Sequence, residues 1–62
     1  TPQATEALAL ILEAAVAAAP MLRAQAARVL PGFDGPAAQA ALAKLRRDDD
    51  LQVVGATLES LL

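Results

Sequence analysis

Three sets of side chains in this 62-residue sequence could take part in chemistry. They are the run Asp48-Asp49-Asp50, the pair Glu6 and Glu13, and the hydroxyls of Thr1, Thr5, Thr57 and Ser60. The aspartates could offer oxygens to Ca2+, but the run lacks the alternating spacing, central glycine and downstream glutamate of a calcium loop. General acid–base work needs two carboxyls brought together in a cleft with shifted pKa values. Glu6 and Glu13 instead share the polar face of one helix. A hydroxyl nucleophile needs a base beside it, and the sequence has no His to supply one. Without His or Cys, the common zinc ligands and any disulfide are excluded. No glycine-rich phosphate loop occurs. These residues point to a non-catalytic protein with no cofactor and no metal.

The cations Arg23, Arg28, Lys44, Arg46 and Arg47 do not form a nucleic-acid stripe. Net charge is −2, only the last three cluster, and three aspartates follow them directly. A lone Phe leaves no aromatic platform for bases. The stretch from Ala7 to Met21 is apolar, yet it carries Glu13 and Pro20 and falls short of the roughly 20 residues that span a bilayer. Ala17-Ala18-Ala19 has the small side chains of a secretory cleavage site, but no basic segment precedes it. A helix lying on a membrane would set Lys and Arg opposite bulky aromatics, whereas this one carries glutamates. A core helix explains the stretch, and no membrane insertion is expected. The missing cysteines leave the compartment open, with the cytoplasm as the default.

Helices must position whatever this chain presents. Apolar residues recur at the helical period in four segments, and none alternates as a strand would. Thr1 and Pro2 suit the N-cap and first position of the first helix. Leu8, Ile11, Leu12, Ala15 and Val16 then share a face opposite Glu6 and Glu13, with Leu10 left on the polar side. Pro20 closes that helix and opens the next. In the second, Leu22, Ala26, Val29 and Leu30 share a face while Ala24 and Arg28 point elsewhere. Pro31-Gly32 stops it, and Phe33 in the turn-rich linker is expected to fold back onto the helices.

Asp34 or Gly35 caps the third helix, whose apolar face is Ala38, Ala41, Leu42 and Leu45. Arg46 and Arg47 then meet a negative helix end, and Asp48, Asp49 and Asp50 a positive one, so RRDDD reads as two termini back to back. The fourth helix shows a stripe of Leu51, Val54, Leu58, Leu61 and Leu62. Gly55 interrupts it, as if to admit a closely facing helix. Short connections make successive helices antiparallel.

Sliding the sequence by 31 positions sets Ile11 on Leu42, Leu22 on Val53 and Leu30 on Leu61. Residues 1–31 and 32–62 thus read as two units of a single domain. The first carries Leu22-Arg23, Ala26 and Val29-Leu30. The second carries Asp48-Asp49-Asp50, Val53-Val54, Thr57 and Ser60-Leu61, and the linker between them reads LPGFDGPAA. In these residues the chain from Leu22 to Leu62 resembles the HEAT-like repeats of the phycobilin-lyase type. That pattern runs from an Asp-rich turn to Val-Arg, an Ala three residues on, and a closing Ala-Leu. The resemblance implies antiparallel helix pairs stacked as a right-handed solenoid.

The sequence also departs from the pattern. Only Ala7/Ala38, Ala9/Ala40 and Leu30/Leu61 are identical between the units. The arginine at Arg23 becomes Val54, and the aspartate turn has Ala17-Ala18-Ala19 as its counterpart. A ladder of Asp–Arg contacts cannot be complete here.

The expected architecture is all-α: two antiparallel hairpins stacked as a short HEAT-like solenoid, or a plain four-helix bundle. Seventeen alanines favour helix but bury little area. A chain of this size gains too little core to be robust alone, which favours association. The expected function is protein–protein interaction or scaffolding, with another protein or further repeats of a parent chain as partner. The alternative is a self-associating docking domain, a homodimeric helical bundle joining larger polypeptides. Leu10, Met21, Val53 and Leu62 are the apolar candidates for the contact surface; Arg23, Arg28, Lys44, Arg46 and Arg47 are its charged rim.

Overall fold

The computed structural model describes residues 2–59, and these are all-α. Helix α1 (Pro2–Ala15) and helix α2 (Pro20–Val29) are followed by a 3-10 turn at Leu30–Gly32, then α3 (Pro36–Leu45) and α4 (Leu51–Leu58). The expected Thr1 cap and the positions Ser60, Leu61 and Leu62 lie outside the described residues. The Cα frame measures 33 × 25 × 15 Å. Two packed helices, with axes about 10 Å apart and a Cα radius of about 2.3 Å each, account for the thinnest dimension.

Local chemistry sets the helix ends. Proline opens α1, α2 and α3, where its missing N–H has no intrahelical partner to lose. Gly35 precedes α3 at φ 111°, a left-handed conformation that costs a glycine nothing. Asp50 caps α4, its carboxylate accepting from the Gln52 N–H at 2.8 Å. Arg46 sits at the end of α3, so RRDDD is indeed two termini back to back.

Helix α1 stops at Ala15, before Pro20 requires it. Its last turn tightens through Val16 N–H to Glu13 O and Ala17 N–H to Ala14 O. The next carbonyls, Ala17 and Ala18, both accept from Nη1 of Arg23 at 2.8 Å. An outside donor thus takes the oxygens that a longer helix would leave unpaired.

Helix α2 packs most extensively on α4 and next on α1, while α3 lies against the 3-10 turn, α1 and α4. Two ion pairs give the direction. Arg23, near the start of α2, holds Asp48 just before α4; Arg28, near the end of α2, holds Glu59 just after it. The two helices therefore run parallel, side by side. In an up-and-down bundle they would be diagonal, so the arrangement is a stack of two hairpins.

The core contains Leu30, Leu42, Leu45 and Val53 among the alanines 15, 24, 26, 27, 38 and 56, with Leu8, Ile11, Leu12 and Phe33 packed against it. Phe33 folds back from the linker as its type suggested. Two faces differ from expectation. On α2 the buried positions are Ala24, Ala26 and Ala27, while Leu22 and Val29 stand half in solvent. On α4 they are Val53, Ala56 and Thr57, while Leu51 and Leu58 are exposed. Small side chains let the two helices approach, and a leucine ridge between them would hold them apart. Thr57 is tolerated because its hydroxyl donates to the Val54 carbonyl at 2.7 Å. Gly55 faces outward, with no atom within 4 Å of where a Cβ would be; among the described residues it does not admit a neighbouring helix.

Replacing the fully buried Leu30 with Ala leaves a cavity beneath both hairpins and should lower stability by about 2–5 kcal/mol in urea melts. Gly55→Ala should do the opposite, raising stability by about 1 kcal/mol through helix propensity alone. A loss of stability in that variant would contradict the open surroundings of Gly55.

Candidate functional site

The strongest polar constellation is centred on Arg23. Its Nε donates to Asp48 Oδ2 at 2.8 Å and its Nη2 to Asp48 Oδ1 at 3.1 Å, a two-pronged grip. Its Nη1 takes the Ala17 and Ala18 carbonyls, so one guanidinium ties the end of α1 to the start of α4. Asp48 also accepts from the Asp50 N–H at 2.9 Å. The side chains of Arg23 and Asp48 are only 17% and 11% exposed. The Arg23 hydrogen bond, helped by the Asp50 N–H and opposed by desolvation, lowers the Asp48 pKa from its ordinary 3.8. Asp48 in turn raises that of Arg23, chiefly through the same hydrogen bond.

This cluster supports structure. The oxygens of Asp48 and Oδ1 of Asp50 already accept hydrogen bonds from within the chain. Among the described residues no group of three His, Cys, Asp or Glu side chains is placed to hold a metal. No described helix is long and apolar enough to cross a membrane.

The candidate surface residues separate into three groups. Leu10, at 67% exposure, and Met21, at 66%, are accessible. Arg28, Lys44, Arg46 and Arg47 are also exposed, Arg28 reaching Glu59 at 2.9 Å. Arg23 is spent on the clamp and cannot act as a rim charge. Val53 must be withdrawn, since it is 0% exposed: α4 is turned about half-way round from the orientation its leucine stripe suggested. Leu62 lies outside the described residues.

That rotation leaves Leu51, at 85% exposure, and Leu58, at 49%, on an open face of α4. The sequence places both on one hydrophobic stripe of the fourth helix without marking them as contact residues. The signal that would have found them is the 31-residue register. Their counterparts are Pro20 and Ala27, and Ala27 is buried where the second hairpin covers α2. Among the described residues, no third hairpin covers the matching positions of the second.

Two shallow grooves of about 220 Å3 each lie between helices. One is bounded by Leu12, Ala15 and Val16 of the first hairpin and Ala40, Ala41 and Lys44 of α3. The other lies between α1 and α2, lined by Leu10, Ile11, Ala14, Gln25, Ala26 and Val29. Each holds one polar side chain among apolar ones, a lining that suits an apolar ridge. Comparison with protein families, curated proteins and solved structures finds no match to this chain.

The lowered Asp48 pKa has a definite sign. A carboxylate whose folded pKa lies below its unfolded one adds stability above the unfolded value, and that gain is lost as pH falls through the folded one. Wild type should therefore melt above Asp48→Asn near neutral pH, and the two curves should converge as pH falls through the lowered pKa of Asp48, below 3.8. A gap that stays constant down to that pH would mean that the clamp owes nothing to charge.

Proposed function

We propose that this chain is a non-catalytic protein-interaction module, built from two HEAT-like helical hairpins that bind another protein through apolar faces. One observation carries the reading. Among the described residues seven large apolar side chains are exposed (Leu10, Val16, Met21, Leu22, Val29, Leu51 and Leu58), against four that are buried (Leu30, Leu42, Leu45 and Val53). Single exposed leucines are ordinary. Here they outnumber the large buried ones, and five of them lie on α1 and α2 (Leu10, Leu22 and Val29) or on α4 (Leu51 and Leu58).

Burial of such faces against a partner supplies the affinity, and the cations around them set orientation. The Arg23 clamp fits the array reading, since it joins the first hairpin to the turn that opens α4. It is one rung, because Val54 and Ala17 replace its members at the corresponding positions.

Capture from a native lysate provides the test, with wild type, Leu10→Glu and Leu58→Glu as baits. At least one variant should lose a wild-type partner by about tenfold or more while its helical circular dichroism is unchanged. Full retention by both would refute the assignment of these faces.

A further inference from the structure

We propose that copies of this chain stack head to tail, with the α4 face of one copy entering the α1–α2 groove of the next. This rests on the interaction-module reading and names a second copy of the chain as occupant. The two hairpins already perform this contact once. In the first, the groove is lined by Leu10, Ile11, Ala14, Gln25, Ala26 and Val29 and stands open. The same positions in the second hairpin, 31 residues on, are Ala41, Leu42, Leu45, Ala56 and Thr57, with Ser60 outside the described residues. Ala41 is half-buried and the other four are buried, in a second hairpin whose α4 packs most extensively on α2 and whose α3 packs on the 3-10 turn and α1.

The matching ridge shows the converse. Ala24 and Ala27 of α2 are buried at 1% and 0%. Their counterparts on α4, Gly55 and Leu58, are exposed, and Leu51 beside them is the most exposed large apolar residue described. The groove at one end and the ridge at the other thus occupy the positions of a contact that this fold makes internally, with leucine in place of Ala27 and Pro20, so the helices at the junction stand further apart than α2 and α4 do. Faces that differ in this way meet heterologously, and the assembly does not close after two copies.

Charge supports the same direction. Arg28 and Glu59 occupy one position in the two units, 31 residues apart, and pair across the internal contact. In a head-to-tail stack Glu59 of one copy meets Arg28 of the next, so positive and negative alternate along the column. The groove between α1 and α3 sets Ala15 and Val16 against Lys44. Moved to the junction, those positions become Arg46 and Arg47 facing Glu13. Arg23 and Asp48 are replaced there by Val54 and Ala17, so no charge is left buried without a partner.

Sedimentation equilibrium over a concentration series, at low salt, tests the arrangement. The wild-type average mass should climb past twice the 6.3 kDa of one chain without a plateau, and fall on adding salt. Leu10→Glu blocks the groove end and Leu58→Glu the ridge end, so each alone should be monomeric. Mixed in equal amounts they should form a dimer and nothing larger, since one good groove then meets one good ridge. Leu51→Glu replaces Leu58→Glu should the latter lose helical circular dichroism. A wild type that stays monomeric to millimolar concentration, a plateau at the dimer, or a mixture that remains monomeric would each overturn the proposal. If the wild type is monomeric yet a Leu58-dependent partner is still captured from lysate, stacking fails and the interaction module stands.

Discussion

Everything in this molecule is organised by how closely α2 can approach α4. Ala24, Ala26 and Ala27 on one helix, and Val53, Ala56 and Thr57 on the other, are the buried positions. Four of the six are alanine, and neither Val53 nor Thr57 is as long as leucine. Dispersion between closely packed small groups offsets the little area each one buries. The arrangement needs both helices turned so that their larger side chains face elsewhere, and those side chains are what the molecule presents to its surroundings.

The Arg23 clamp fixes that rotation. A guanidinium that grips Asp48 with two nitrogens and takes two carbonyls with a third has few geometries open to it. It places the start of α4 relative to both α1 and α2, and Asp50 then caps the helix from that point. The Arg28–Glu59 pair at the other end is far more exposed; a pair of this kind contributes at most about 1 kcal/mol. One end of the helix pair is pinned, and the other is only guided. A core this dependent on alanine gains from any partner that covers the exposed leucines, because binding to the folded form alone adds to its stability.

Much of the fold was legible in the residues. The prolines at 2, 20 and 36, Gly35 and the RRDDD run mark helix boundaries through backbone and dipole chemistry that acts locally. Ala38, Leu42 and Leu45 were readable as a buried face because α3 has large apolar groups on one side only. The departures fall mostly on α2 and α4, with Val16 beyond the end of α1 also left in solvent. On those two helices the sequence shows a hydrophobic stripe, Leu22 with Val29 and Leu51 with Leu58, but the structure leaves these exposed and buries Val53, a contact candidate. A stripe reports which residues avoid water, and says nothing of what lies opposite. Where the facing helix is lined with alanine, the smaller side wins the contact.

Composition and spacing by themselves determined that the chain is helical, where its helices begin, and that it carries no His or Cys, since these depend on residue type and near neighbours. Only the tertiary structure decided which way α2 and α4 turn, that Arg23 is spent internally, and that Leu51 and Leu58 are left outward. Those outcomes depend on the distance between two helix axes, which is set by pairs of residues some 25 to 31 positions apart. No local pattern encodes that distance.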